Sequence, residues 1–401
     1  MLVLATMTGA FCMAMPNMCM PVLFEEISGD LGLNLVEIGV VWGITPLSGI
    51  ITVFFGGLLA DRFGSRRVLS IVCILAGVVS ALRGVSWDLT SLATITFIYG
   101  FLTAIIPPST NKVAVVWFPG RQLGLAIGAT AAGMGIGFTV SSMISATILS
   151  PLLGGWRNVL YAYGGLSVLI GLLWYITGTE KGPVGSTSSE SRVPFRQSIS
   201  HVLRVKSVWL IGLIMLGHTG CIQGLLGYLP LYLTKSGWSA TSASGVLASF
   251  HGFSAMGTIP IALLSDRLGL RKAVLFPIMI MTTLGVALLP MASDAMVWVL
   301  VIMVGVVRDA FMAITSTTNV EAEGIGIVYS GTAVGLVQTI CRFGPIFSPP
   351  IGNSLADTNR GLPFYFWAAF ALMGLAILFF IKETGRRKSG TGSGLGQKGV
   401  D

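Results

Sequence analysis

Long apolar runs recur along the whole of this chain, and they decide what it can fold into. Runs at 2–24, 34–60, 67–86, 90–115, 122–149, 157–177, 207–234, 242–264, 272–292, 296–318, 327–353 and 363–382 are each of membrane-spanning length, for which a helix needs about 20 apolar residues. A segment crossing lipid must satisfy its own backbone hydrogen bonds, and uninterrupted runs of this length do so as helices. The expected fold class is an all-α membrane protein with twelve transmembrane helices. Only 10% of residues are charged, against about 25% in a soluble protein. The 52 glycines suit spans whose backbones pack closely. The first run has no charged leader and is too long for a signal-peptide core, so it reads as a span rather than a removable leader.

The longest break, 178–206, contains "GTEKGPVGSTSSESR", rich in Gly, Ser and charge, which is linker composition. It divides the chain into an N-terminal six-helix bundle (1–177), a linker (178–206), a second six-helix bundle (207–383) and a tail (384–401). The halves repeat. "GGLLADRFGSRRVL" follows the second span and "IALLSDRLGLRKAVL" follows the eighth, so Asp61 and Asp266 occupy the same place in each half. A weaker echo pairs "LAIG" at 125–128 with "TAVG" at 332–335. Repeated halves imply a pseudo-two-fold axis and a central cavity between two pseudo-symmetric bundles.

Orientation follows from Lys and Arg. With both D-R-x-G loops inside, the outside loops hold only Arg83, Arg157, Lys235 and Arg360. Lys112, Arg308 and Arg342 fall within spans, and the remaining basic residues lie inside. Both termini are then cytoplasmic. The net charge of +8 records topology rather than a nucleic-acid partner, and the expected location is the cell (inner) membrane. The five cysteines all lie in apolar runs, with no metal-type Cys-x-x-Cys pair and no secreted disulfide framework.

"GGLLADRFGSRR" resembles the signature loop of the major facilitator superfamily, and twelve spans, a central linker and a degenerate second loop agree with it. The resemblance implies that fold, with spans 1, 4, 7 and 10 lining the cavity. It also implies a conformational latch at the loops, carried by Gly57, Asp61, Arg62, Gly64 and Arg66, and by Asp266, Arg267 and Gly269. A carboxylate at the start of span 3 is also favourable to the helix dipole. "NKVAVVWFPGRQLGLAIGATAAGMGIG" (111–137) looks like the span 4–5 junction of monocarboxylate, oxalate/formate and nitrate carriers. The mid-span Arg of drug:proton antiporters is missing from "IYGFLTAIIPP", and their G-P pair is missing from span 5.

Within the spans, "VVRDAFMAI" places Arg308 and Asp309 halfway along span 10. A charge at that depth costs several kcal/mol and must face water or a partner. Adjacent helical residues diverge by about 100°, so the two are expected to point in different directions. A guanidinium grips carboxylate in a bidentate fork, which makes Arg308 the expected substrate clamp. Asp309 is then the expected proton carrier. Arg342 in "GLVQTICRFGPIFSPP" shares a face with Gln338 and offers a second donor to the anion, or a structural partner for Asp309. His251 is expected to assist binding and His218 to assist the proton. Asn111 and Gln223 are further neutral donors. The soft residues of "FCMAMPNMCMP" (11–21) are read as packing around proline kinks rather than as a metal site.

The chain has no phosphate loop and no catalytic triad or metal spacing outside lipid, so neither an enzyme nor a cofactor is expected. The expected function is a monomeric secondary transporter using alternating access, most simply proton-coupled symport of a small organic anion such as a monocarboxylate. A drug:proton exporter, an inorganic anion carrier (nitrate, nitrite or cyanate) and a non-transporting receptor are the alternatives.

Overall fold

The computed structural model describes residues 1–119, 122–179, 195–322 and 324–385. Its long helices are α1 Leu2–Leu31, α2 Leu35–Phe63, α3 Ser65–Val85, α4 Leu89–Trp117, α5 Leu123–Leu153, α6 Trp156–Thr177, α7 Lys206–Lys235, α8 Ala240–Leu268, α9 Arg271–Met291, α10 Asp294–Val320, α11 Gly326–Ser354 and α12 Leu362–Leu378. Each apolar run of the sequence is a helix within a few residues of its expected ends. The run 178–206 is not wholly loop. Its end carries a short helix, Phe195–Val202, whose His201 donates from Nε2 to the Gly324 carbonyl (2.8 Å) and stacks on Tyr329 of α11.

The duplication is visible in the backbone. Gly32 and Gly237 have positive φ, as do Gly64 and Gly269. Each pair is separated by 205 residues (237 − 32 and 269 − 64), the spacing of Asp61 and Asp266. These turns need a left-handed residue, which glycine supplies without a Cβ clash.

Helices pair across the middle of the molecule along two seams, α2 with α11 and α5 with α8. Both seams close at the end away from the D-R-x-G loops. A Cβ added at Gly39 would strike the Pro349–Pro350 backbone, and one at Gly43 would strike the carbonyl of Ile346. Asn353 donates to the Leu35 carbonyl at 2.8 Å. On α5, Gly135 meets Ala255 of α8. Two turns nearer the loops, on the same helix face, the exposed Gly128 meets nothing within 4 Å among the described residues, and the exposed Gly331 on α11 likewise meets none of them. The molecule is therefore shut at the far end and open at the loop end.

One span is built unlike the others. α1 winds loosely over Thr8–Ala14 and continues through Pro16 and Pro21. Pro16 has no N–H to return to the carbonyl of Cys12, and the Tyr99 hydroxyl donates to that carbonyl at 3.0 Å. Ser141 donates to Met15 at 2.8 Å and Arg83 to Pro16 at 2.8 Å. Arg83, in the last turn of α3, is thus not the outside-loop residue that the charge count made it. It is 1% exposed, bonded also to Ser80 Oγ (2.7 Å) and lying 4.2 Å over the Tyr99 ring. Carbonyls released by the distorted helix, with an aromatic face, give the cation an alternative to water.

Candidate functional site

Halfway along α10 the Arg308 guanidinium turns back and bonds its own neighbour, Nη1 to Asp309 Oδ1 at 2.7 Å. This overturns the expectation that the two side chains diverge. The Cα–Cβ vectors do diverge, but three methylenes let the guanidinium fold across to the adjacent carboxylate. The other oxygen, Oδ2, accepts from Ser254 Oγ of α8 at 2.6 Å. Ser254 reaches it because α8 and α10 touch backbone to backbone. A Cβ at Gly257 would collide with the Val306 carbonyl, and one at Gly305 would stand 2.6 Å from that of Phe250. Sequence reading missed Ser254, and the small residues facing each other on the two helices are the signal that could have found it.

Arg308 and Asp309 keep 26% and 35% of their side-chain surface, so the pair can meet an entering solute. The histidines cannot. His218 of α7 is 1% exposed and stacked on Phe311 (3.8 Å between centroids), and His251 is 2% exposed with its ring 5.2 Å from that of Phe138. Neither nitrogen of His218, nor Nε2 of His251, has a hydrogen-bond partner among the described residues. Both rings lie within electrostatic reach of the Arg308–Asp309 pair. They form a dry layer behind it. The repeat places Thr103 where the second half has Arg308 (308 − 205), and α4 breaks there, between Leu89–Thr103 and Ile106–Trp117. The first half breaks its helix at this depth, whereas the second keeps α10 continuous and places the charged pair there.

The other expected site residues do not join this cluster. Arg342 is not the partner of Asp309. Its Nη1 donates, at a long 3.5 Å, to the Pro46 carbonyl of α2 and lies against Gly49. Gln338, one turn away, accepts from the Cys341 thiol. Gln223 is half-buried and its backbone carbonyl accepts from Trp42 Nε1 at 2.8 Å, while Asn111 is exposed. At the loops, Gly57 and Asp61 fall in a stretch of α2 whose side chains lie outside the described residues, and Arg62 and Arg267 are exposed. Arg66 Nη2 donates to the Tyr175 carbonyl of α6 at 2.6 Å. In the second half Lys272 plays that part with Phe379 and Ile381 of the α12 end. Asp266 pairs with Arg271 at 2.5 Å, and Arg271 also grips Glu321 at the end of α10 through Nε and Nη2. Glu383 accepts from the backbone N–H groups of Arg271 and Lys272. Arg271, Glu321 and Glu383 were not identified from sequence: Asp266 is five residues from Arg271, but Glu321 and Glu383 are 50 and 112 residues from it.

The sequence profile of the Major Facilitator Superfamily matches residues 6–323. The chain belongs to this superfamily. The fold is shared with a neighbour of known structure, a bacterial homologue of the human lysosomal transporter Spinster, solved in an inward-facing, occupied conformation. The two superpose with a TM-score of 0.77 over 94% of this chain and 95% of that one, at 16% identity. Among curated relatives, a probable nitrate/nitrite antiporter of Thermus thermophilus is 25% identical over 89% of this chain and 85% of its own. The multidrug resistance protein MdtG of Proteus mirabilis is 26% identical over 95% and 94%. A local match to the probable galactarate/D-glucarate transporter of Escherichia coli is 28% identical and covers 37% of this chain but only 34% of that one. The chain is thus a multi-pass membrane protein with the superfamily fold, two six-helix bundles around a central cavity, and its named relatives are transporters.

Proposed function

We propose that this superfamily member is a proton-coupled carrier of small organic anions, monocarboxylates foremost. The observation that carries the reading is the Arg308–Asp309–Ser254 arrangement at mid-depth, reachable from the open end. A substrate carboxylate offers Arg308 the same two oxygens that Asp309 does, and can grip it in a fork. Once Arg308 turns to the substrate, Asp309 loses its countercharge and takes a proton in its place. Substrate charge and proton then cross together. His218 and His251, dry and behind the pair, are the candidate proton neighbours. Gln223, Gln338 and Asn111 are candidate neutral donors.

In this reading residues 1–177 and 207–383 rock as two bodies about the cavity, with 178–206 as the linker and 384–401 as the tail. The protein acts as a monomer in the inner membrane. The D-R-x-G end is cytoplasmic, supported by the basic residues gathered there, and the two loops latch the alternating states. Similarity to nitrate/nitrite and galactarate/D-glucarate transporters supports an anionic substrate. Similarity to MdtG over nearly the whole chain supports a second reading, export of a lipophile in exchange for protons.

The test is thermal stabilisation of purified protein by a panel of carboxylates, inorganic anions, cations and neutral amphiphiles, at two pH values. A ligand that binds only the folded state raises the melting temperature. Small carboxylates should stabilise the wild type, more so at the lower pH, and leave Arg308→Gln unmoved. Stabilisation by neutral amphiphiles, unchanged in Arg308→Gln, would favour the exporter instead.

A further inference from the structure

Arg342 lies where the closed far-end seam meets the open cavity. Beyond it toward the far end, α2 and α11 touch at Gly43 with Ile346 and at Gly39 with Pro349 and Pro350. Toward the loops, two and three turns back on the same face, Gly335 and Gly331 meet nothing within 4 Å. Among the described residues, Arg342 is the contact of this seam nearest the loops.

Its seat is specific and weak at once. The guanidinium occupies the room left by Gly49, where any Cβ would overlap Nη1. One long hydrogen bond, 3.5 Å, holds it to the Pro46 carbonyl. Among the described residues no carboxylate lies within ion-pair distance of it. A half-buried guanidinium bonded to one neutral carbonyl is poorly satisfied compared with one gripping a carboxylate. The seat also exists only while α2 and α11 are together, because the Pro46 carbonyl and the Gly49 slot belong to one helix and Arg342 to the other.

We infer that Arg342 locks the far-end seam in the inward-open state, and that the transported anion releases the lock by taking the guanidinium from Pro46. This rests on the anion reading above and gives Arg342 a different role from Arg308. Arg308 holds the anion at mid-depth. Arg342 senses that the site is filled, and its departure from the slot frees α2 from α11. On the return, an empty site leaves Arg342 no better acceptor than the Pro46 carbonyl, and the seam closes on it. One charge-assisted hydrogen bond exchanged in this way shifts the closed-to-open ratio by about tenfold.

The test uses full-length protein in lipid nanodiscs, spin-labelled through Leu33→Cys and Ser354→Cys at the far ends of α2 and α11, with separations read by pulsed electron paramagnetic resonance. Without added anion, the wild type and Arg308→Gln should give one short separation. Arg342→Gln and Gly49→Val should add a longer one. Saturating acetate or benzoate should lengthen the wild type and leave Arg342→Gln where it already was. A wild-type separation in anion-free Arg342→Gln would overturn the lock, whether or not Gly49→Val folds. Failure of every anion to bind the wild type, with Arg342→Gln open, would sink the anion as the key and leave the lock standing on the anion-free data. If the anions bind the wild type without lengthening it, the carrier reading survives and the release mechanism falls.

Discussion

Ser254 donates to Asp309 Oδ2 at 2.6 Å from a different helix, while Asp309 Oδ1 is held by the adjacent Arg308 at 2.7 Å. The carboxylate is therefore satisfied across α8 and α10, and removing the serine hydroxyl leaves one oxygen without its donor. Ser254→Ala should cost about 2 kcal/mol of stability, the worth of a hydrogen bond to a charged group. Thermal unfolding in detergent would measure it. A variant as stable as wild type would mean that water replaces the hydroxyl.

Arg308 and Asp309 neutralise one another, so the double variant should lose less stability than either single variant. Arg308→Gln or Asp309→Asn alone leaves a lone charge among apolar helices, a loss of about 3 kcal/mol or more. Arg308→Gln with Asp309→Asn leaves none and should recover most of that loss, a coupling that a double-mutant cycle reads directly. If the pair is the substrate and proton site, the recovered double variant remains inactive in uptake. Normal uptake by the double variant would make the pair structural only.

How far the sequence exposed these features follows from distance along the chain. The helices were legible because each apolar run carries its own evidence. The repeat was legible because turn glycines and acidic residues recur at a fixed spacing, and Gly64 and Gly269 do both take positive φ. Arg308 and Asp309 were conspicuous as charges, but their pairing was not, since helical geometry fixes Cβ directions and not where a long stem ends. Arg83 was read as a loop residue because it is a charge near the outer end of the third apolar run. Its true partners, Pro16 and Tyr99, depend on how α1 departs from regular winding, and no short-range pattern carries that.

Arg83 gives a prediction of its own. Arg83→Gln removes two hydrogen bonds and a cation–π contact from a wholly buried site, and should destabilise by about 2–3 kcal/mol. Arg157 lies at the same end of the molecule, but its side chain is 35% exposed and paired with Asp30. Arg157 also donates to the Gly84 and Ser86 carbonyls at 2.8 and 2.7 Å, but water can replace it at this partly exposed site, so Arg157→Gln should cost less, about 1 kcal/mol. Equal melting temperatures for the two variants would contradict the burial of Arg83.

The loop-end cluster offers the sharpest contrast between the halves. Gly269 (φ 62°, ψ 25°) is left-handed helical, whereas Gly64 (φ 81°, ψ 148°) lies where glycine alone sits comfortably, so alanine should cost about 1 kcal/mol at Gly269 and about 2 kcal/mol at Gly64. The arginines that follow at the same register should not behave alike. Arg66 bonds the Tyr175 carbonyl, whereas Arg271 ties Asp266 to Glu321, joining the α8–α9 turn to the end of α10. Glu321 retains 29% of its side-chain surface, but Arg271 retains only 10%, so solvent screens the interaction partly rather than fully. Arg271→Ala should therefore lower stability by about 2 kcal/mol and Arg66→Ala by about half that. High salt should narrow the gap, because the Arg271 contribution is ionic and the Arg66 contribution is a bond to a neutral carbonyl. Melting curves of both variants at two ionic strengths would decide it. A gap that does not narrow with salt would place the difference in packing of the guanidinium stem, not in the ion pairs.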